Sequence, residues 1–140
     1  MLPVDAPEMT IVAFTGPLAG TGAPSTDGLI VLSKSPLTGT VGESLLKEPF
    51  GGALKKAGFD GVVISGRGTA PMGIEITDND ISFVDAGHPH GLDVRASSAK
   101  LDNDAAIVIG PAGERQVPLA GLAATGDDAL EQGGLERSPA

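Results

Sequence analysis

The residues that could carry chemistry are few. His88-Pro-His90, flanked by Asp85 and Asp93, is the one group that resembles a metal or acid–base cluster. Two imidazoles around a proline in a loop, with no carboxylates at ligand spacing on a regular element, make a weak metal pattern. They read first as solvated loop histidines, then as a structural hydrogen bond from His88, and last as a metal site. Gly20-Thr-Gly22-Ala-Pro-Ser25 has the outline of a dinucleotide loop. Its third glycine is missing, and Pro24 blocks the helix that would receive a pyrophosphate. Gly39-Thr-Val-Gly42-Glu-Ser44 lacks the lysine of a phosphate-binding loop. Ser33, Ser35 and Ser44 sit in no nucleophile elbow. The pairs Asp78/Asp80 and Asp102/Asp104 lack the glycine and glutamate of a calcium loop and read as turns. With no cysteine in the chain there is no thiolate, disulfide or cysteine-held cluster. Spacing alone gives no catalytic residue and no metal site.

The elements that would position such residues centre on 10–39, TIVAFTGPLAGTGAPSTDGLIVLSKSPLTG. Two short apolar runs, Ile11 to Thr15 and Leu29 to Ser33, bounded by Gly/Pro clusters, predict buried strands. The loop between them, Gly16 to Gly28, is too long for a tight hairpin and is read as functional. Lys34 to Gly39 is a turn, because Pro36 biases Ser35 away from helix. Val41 to Pro49 is ambiguous: ESLLKE favours helix, but Pro49 closes it early. Phe50 to Gly58 predicts a short helix with Leu54 and Ala57 inward, lysines near its C-terminus and Gly58 as the cap.

Asp60 to Ser65 is almost wholly apolar, as a central strand would be. Gly73 to Thr77 alternates, turns through Asp78-Asn-Asp80 and returns as Ile81 to Val84. Asp85 to Gly91 is a loop, Leu92 to Leu101 is weakly helical, and Asp102 to Asp104 turns into a buried strand, Ala105 to Ile109. Gly110-Pro-Ala-Gly113 then leads into Gln116 to Ala124. From Thr125 the chain is polar, glycine-rich and acidic, so residues 1–125 are expected to form one domain and 126–140 a mobile tail.

The totals exclude several function classes. The 140 residues suffice for one domain with a core, at 41% hydrophobic, though four Phe are the only aromatics. The 21 glycines and 11 prolines point to many turns between short strands. A net charge of −9 argues against nucleic acid or an anionic membrane as partner. Residues 1–10 carry neither a basic nor an apolar leader segment, and no run is long enough to span a bilayer, so the expected location is the cytoplasm.

One internal echo shapes the fold expectation. IVAFTGPLAG from Ile11 and IVIGPAGE from Ile107 both deliver a β-branched run into Gly-Pro, then Ala-Gly, then a second apolar run after a proline (Pro24, Pro118). Such self-similarity suggests two related halves about a pseudo-twofold.

Five blocks in order, GPLAGTGAP, SKSPLTG, FGGALKKAGFDGVVISGR, VDAGH and IGPAGERQVPLAGL, resemble the N-terminal domain of the tungsten-containing aldehyde:ferredoxin oxidoreductases. The resemblance covers about Ile11 to Gly134. It implies an α+β fold: two intertwined β-rich repeats forming paired sheets, with one or two short helices. In that family one face of the domain carries a tungsten bis-molybdopterin. Helical domains that follow supply the cysteines of a [4Fe–4S] cluster and the acid–base residues, and the enzyme oxidises aldehydes to acids.

Three departures from the family pattern matter. By the family pattern the chain is expected to begin past the opening strands and to stop before the helical domains, leaving the cluster ligands and catalytic residues outside it. Gly28 stands where the family has an arginine near the pterin phosphates, and Leu45-Leu46-Lys47-Glu48 where it has Asn-Ser-Gly-Gly. A segment resembling Asp-Gly-His-Arg-Ala-Ala-Gly-Arg-Gly-Gly appears here as Thr125 to Gly134, with Asp128 and Gln132 in place of the two arginines. Phosphates would meet Asp127, Asp128 and Glu131 instead of cations, at a cost on the order of several kcal/mol for each reversed charge.

The family cofactor positions are therefore Gly28, Leu45, Leu46, Lys47, Asp128 and Ala129, mostly substituted. No cofactor is expected on the isolated chain, and a tungsten bis-molybdopterin only if it completes a partner's site. The resemblance implies a stand-alone, non-catalytic binding or assembly module with exposed apolar sheet. The alternative is the small subunit or a fragment of a split tungsten or molybdenum aldehyde oxidoreductase. The implied partner is a second copy of the chain or an oxidoreductase large subunit.

Overall fold

The computed structural model describes residues 10–35, 38–47, 49–66, 68–87, 91–101, 105–115, 117, 120–126 and 129–133. The apolar run TIVAFT forms β1 (Thr10–Thr15), and LIVLSK forms β2 (Leu29–Lys34), antiparallel to it with Val31 opposite Ala13. The chain reverses after β2 through Gly39, whose φ of 70° suits glycine. Ser35 and Thr40 close the turn: the Ser35 N–H donates to the Thr40 carbonyl at 2.8 Å. The ambiguous segment then resolves as strand. β3 (Val41–Leu46) pairs with β2 along its whole length, so ladder pairing overrides the helix preference of ESLLKE.

The predicted helix is α1 (Phe50–Lys56), with Phe50, Gly51, Gly52 and Leu54 buried. Ala57 is its C-cap, and Gly58 (φ 90°) lies one residue beyond. The Gly58 N–H donates to the Lys55 carbonyl and the Phe59 N–H to the Leu54 carbonyl, the paired bonds of a Schellman ending.

β4 (Gly61–Ser65) pairs with β1 and gives a four-stranded sheet in the order β3-β2-β1-β4. The expectation of a central strand is corrected here. β4 is an edge strand, and all of it except Val62 is exposed. Its apolar character reflects an uncovered position in this chain.

β5 (Met72–Thr77) and β6 (Asp80–Asp85) form the expected hairpin. Asp78 (φ 41°) and Asn79 (φ 66°) occupy the left-handed positions of its two-residue turn. Asn79 also donates its N–H to the Ala57 carbonyl at 2.8 Å, docking the hairpin tip on the end of α1. The weak helix is shortened to α2 (Val94–Ser98), and β7 (Ala106–Ile109) follows with only Val108 fully buried. Gly110-Pro-Ala-Gly113 forms a third short helix, α3 (Pro111–Glu114), where a turn was expected. Pro111 opens it, a position where its missing N–H costs nothing. β8 (Leu122–Gly126) and β9 (Ala129–Gly133) complete a three-stranded sheet, the third among the described residues, in the order β7-β8-β9. Residues 129–133 lie within the stretch expected to be a tail, and there they pair with β8.

The class is α+β, with small antiparallel sheets and three short helices. The internal echo corresponds to two antiparallel three-strand units, β1-β2-β3 and β7-β8-β9. In both, the carbonyl of the Gly-Pro glycine accepts an N–H three residues on: Ala19 to Gly16 at 3.2 Å, and Gly113 to Gly110 at 2.9 Å. One core joins them. Leu29, Val31, Leu46, Phe50, Leu54 and Ala124 are buried together, with Ile11, Ala13, Val62, Ile76 and Leu122 packed against them.

Candidate functional site

The loop of residues 16–28 is held by its own polar groups. Thr15 Oγ1 donates to the Gly28 carbonyl at 3.0 Å, tying the two ends of the loop together. Asp27 Oδ1 accepts the Gly20 N–H at 2.7 Å, strapping the tip to the base, and Ala19 is buried beneath it. The base sits on the first turn of α1. Gly51 donates its N–H to the Asp27 carbonyl at 2.7 Å. A Cβ on Gly51 would fall 2.3 Å from the Gly28 carbonyl oxygen, and one on Gly52 2.7 Å from Asp27 Oδ2. Two glycines therefore let helix backbone meet loop backbone. Asp27 is the residue of this loop that sequence reasoning passed over; an acid just before a strand gives no pattern until the Gly20 N–H is seen against it.

The structure brings together part of the predicted set. Leu46 pairs with Leu29, the residue after Gly28, and Leu45 with Ile30. A Cβ on Gly28 would lie 3.3 Å from Leu45 Cδ1 and 3.3 Å from the Leu46 carbonyl oxygen. Leu46 points into the core at 2% exposure, while Leu45 on the opposite face is 62% exposed and Lys47 is exposed. Ala129 begins β9, and Asp128 lies outside the described residues. The donor chemistry of the described set does not fit an anionic pterin by itself. Gly28 offers backbone whose carbonyl is already engaged, Leu45 and Leu46 offer hydrocarbon, and Lys47 brings the single cation. Among the described residues no cluster of His, Asp or Glu could hold a metal.

The other marked residues serve the backbone. Asp85 accepts the Gly87 N–H at 2.8 Å, and Asp93 caps α2 by accepting the Ala96 N–H at 2.8 Å. His88 and His90 lie outside the described residues.

The most distinctive surface is the outer face of the β3-β2-β1-β4 sheet. Register alternates side chains across a sheet, so Ala13, Val31 and Val62 face the core while their neighbours face away. Most of those outward neighbours are also apolar: Val12, Phe14, Ile30, Leu32, Leu45 and Val63, with Glu43 opposite Leu32 and Lys34 opposite Val41 as the charged exceptions. A solvent-facing sheet would carry polar residues there. Phe14, Leu45, Val63 and Val41 are exposed, and a shallow groove of about 430 Å³ runs between Thr10, Val12, Leu32, Lys34 and Val41. The signal was present in the sequence, because Ile11 to Phe14 and Leu29 to Leu32 do not alternate. It read as double-sided burial, and one side is uncovered among the described residues.

Comparison with known proteins bears on what covers that side. The family model of the aldehyde ferredoxin oxidoreductase N-terminal domain matches residues 2–136. The tungsten-containing aldehyde ferredoxin oxidoreductase of Pyrococcus furiosus is 35% identical over 136 residues, which is 93% of this chain and 22% of that protein. An aliphatic sulfonate oxidoreductase WOR-like subunit from the same organism is 35% identical over 85 residues, 61% of this chain and 13% of its own. Among solved structures, the active-site complex BamBC of benzoyl coenzyme A reductase with 1,5-dienoyl-CoA superposes with a TM-score of 0.82 at 25% identity. That match covers 96% of this chain and 21% of the other. The chain thus spans about a fifth of the length of these relatives.

Proposed function

The chain belongs to the aldehyde ferredoxin oxidoreductase N-terminal domain family, and on that premise we propose that it is a non-catalytic assembly module that docks on the cysteine-bearing body of a tungsten-type oxidoreductase. The observation that carries this reading is the outer face of the four-stranded sheet. A largely apolar surface with Leu45 62% exposed is costly in water, which supports a partner covering it. The relatives are several times longer than this chain, so the occupant is the part of such an enzyme that this chain does not contain. Its net charge of −9 favours a partner with a basic rim.

A second reading is favoured by the WOR-like subunit and by the BamBC complex, which are described as a subunit and a complex. In it the assembled pair completes a pterin site, with Gly28, Leu45 and Lys47 as one wall. The cations that grip the phosphates then come from the partner, because this chain supplies only Lys47 among its described site residues. A bound tungstopterin would supply the two-electron chemistry of the family, and Gly28, Leu45 and Lys47 would shape one wall beside it.

The test is co-expression with the Pyrococcus furiosus enzyme lacking the segment that this chain matches. A stable complex is expected. Leu45→Ala should weaken it roughly tenfold, since re-burying a mostly exposed leucine is worth about 1.5 kcal/mol. Tungsten and pterin in the complex, absent from either chain alone, would support the second reading. No complex, or one indifferent to Leu45→Ala, would refute docking through this face.

A further inference from the structure

The free edge of β4 is a second unsatisfied surface, lying in the plane of the sheet, and it does not depend on the docking role above. The register of β4 on β1 is Phe14 with Gly61, Val12 with Val63 and Thr10 with Ser65. The Thr15 N–H donates to the Asp60 carbonyl at 3.0 Å, which sets the phase of the ladder. In an antiparallel pair, hydrogen-bonded and non-hydrogen-bonded residue pairs alternate. Val62 and Ile64 therefore direct their N–H and C=O groups to β1. Gly61, Val63 and Ser65 turn theirs outward, where no described residue meets them. The strand carries no charge and no proline from 61 to 65. Natural edge strands are usually protected by such residues, and an unprotected apolar edge is a template for another strand.

We propose that β4 pairs antiparallel with β4 of a second copy about a twofold axis at Val63, joining two sheets into one of eight strands. The outward-directed residues are self-complementary about that axis. Gly61 meets Ser65 of the second copy, Val63 meets Val63, and each pair exchanges two backbone hydrogen bonds. No side chain in the strand places like charges opposite each other. The pairing also makes the outer apolar faces of the two sheets continuous. The chain's acidity opposes the approach of two copies at long range, so added salt should strengthen this dimer by screening.

The chain has no cysteine, so Val63→Cys introduces a single thiol. Opposed Cα atoms of a hydrogen-bonded antiparallel pair lie about 5.5 Å apart, within disulfide reach. Under mild oxidation the full chain with V63C should form a covalent dimer at least tenfold faster than one with E75C, on the exposed strand β5. Light scattering should show an unmodified dimer that tightens between 50 mM and 500 mM NaCl. Val63→Lys and Val63→Glu, each at an outward position, should be folded monomers by circular dichroism and should dimerise when mixed. A wild-type monomer in both salts, equal oxidation of V63C and E75C, or a dimer that Val63→Lys leaves intact would overturn the proposal.

Discussion

Gly51→Ala is the sharpest test of how the loop of residues 16–28 is seated. In an exposed helix, replacing glycine by alanine stabilises by about 1 kcal/mol. Here the added methyl would lie 2.3 Å from the Gly28 carbonyl oxygen, 2.4 Å from Thr15 Oγ1 and 2.7 Å from the Asp27 carbonyl oxygen. Two of those three atoms are backbone and cannot rotate away. Relief requires α1 to separate from the loop base by about an ångström, which costs about 1–3 kcal/mol of overpacking strain. The same movement stretches the Gly51 N–H bond to Asp27 and the Thr15 bond to Gly28, at about 1 kcal/mol each. After subtracting the helix gain, the net loss is about 2–4 kcal/mol, a fall in Tm of roughly 10 °C for a domain of this size. Gly16→Ala, with nothing within 4 Å of its new Cβ, is the control and should leave Tm within a degree or two. Thermal unfolding followed by circular dichroism reads both. A Gly51→Ala chain as stable as the parent, or more so, would refute the close backbone approach, because the sign itself would be wrong.

Gly58→Ala should cost about 2 kcal/mol or more, since Gly58 has φ 90° and its new Cβ would lie 1.7 Å from Asn79 Oδ1. Adding Asn79→Gly removes the clash and leaves the backbone penalty, so a double-mutant cycle in urea should show a favourable coupling of about 1 kcal/mol; strict additivity would contradict the contact. Asp93→Ala removes the cap of α2 and should lower stability by about 1 kcal/mol, with faster amide exchange at Ala96; unchanged exchange there would argue against the cap.

The legible parts of the fold were those governed by local backbone chemistry. Asp78-Asn79 tolerates left-handed φ, Gly58 ends α1, and β-branched runs between Gly/Pro clusters became β1, β2 and β7. What was misread depended on neighbours that local sequence does not encode. Val41–Leu46 became a strand because β2 offered six residues of ladder, against a helix that Pro49 would have cut short. GVVIS looked central because nothing in its Val-Val-Ile run tells double-sided burial within one chain from burial against another. The site was legible to a similar depth. Gly28, Leu45 and Leu46 do converge, whereas the strap from Asp27 to Gly20 depends on a side chain reaching seven residues back.

That ambiguity at β4 bears on function, because the same cause acts across the whole outer face. Val12, Phe14, Ile30, Leu32, Leu45 and Val63 form a second, largely apolar surface; the chain spans about a fifth of its relatives' length, and Phe14, Leu45 and Val63 stay exposed among its described residues. A domain that had adapted to solitary life in water would have replaced outward positions with polar residues, since each exposed valine or leucine offers partners a surface without contributing to its own stability. At the positions that the family resemblance assigns to the cofactor, Gly28, Leu45 and Leu46 carry no charge and Lys47 is the one cation among those described. On the docking proposal, an apolar face next to positions poor in cations suits assembly with a partner rather than cofactor binding by this chain alone. Leu45 belongs to both the apolar face and the Gly28 wall, so on that proposal a partner that lays hydrocarbon on the sheet also brings its own cations to the Gly28 side for any anionic cofactor.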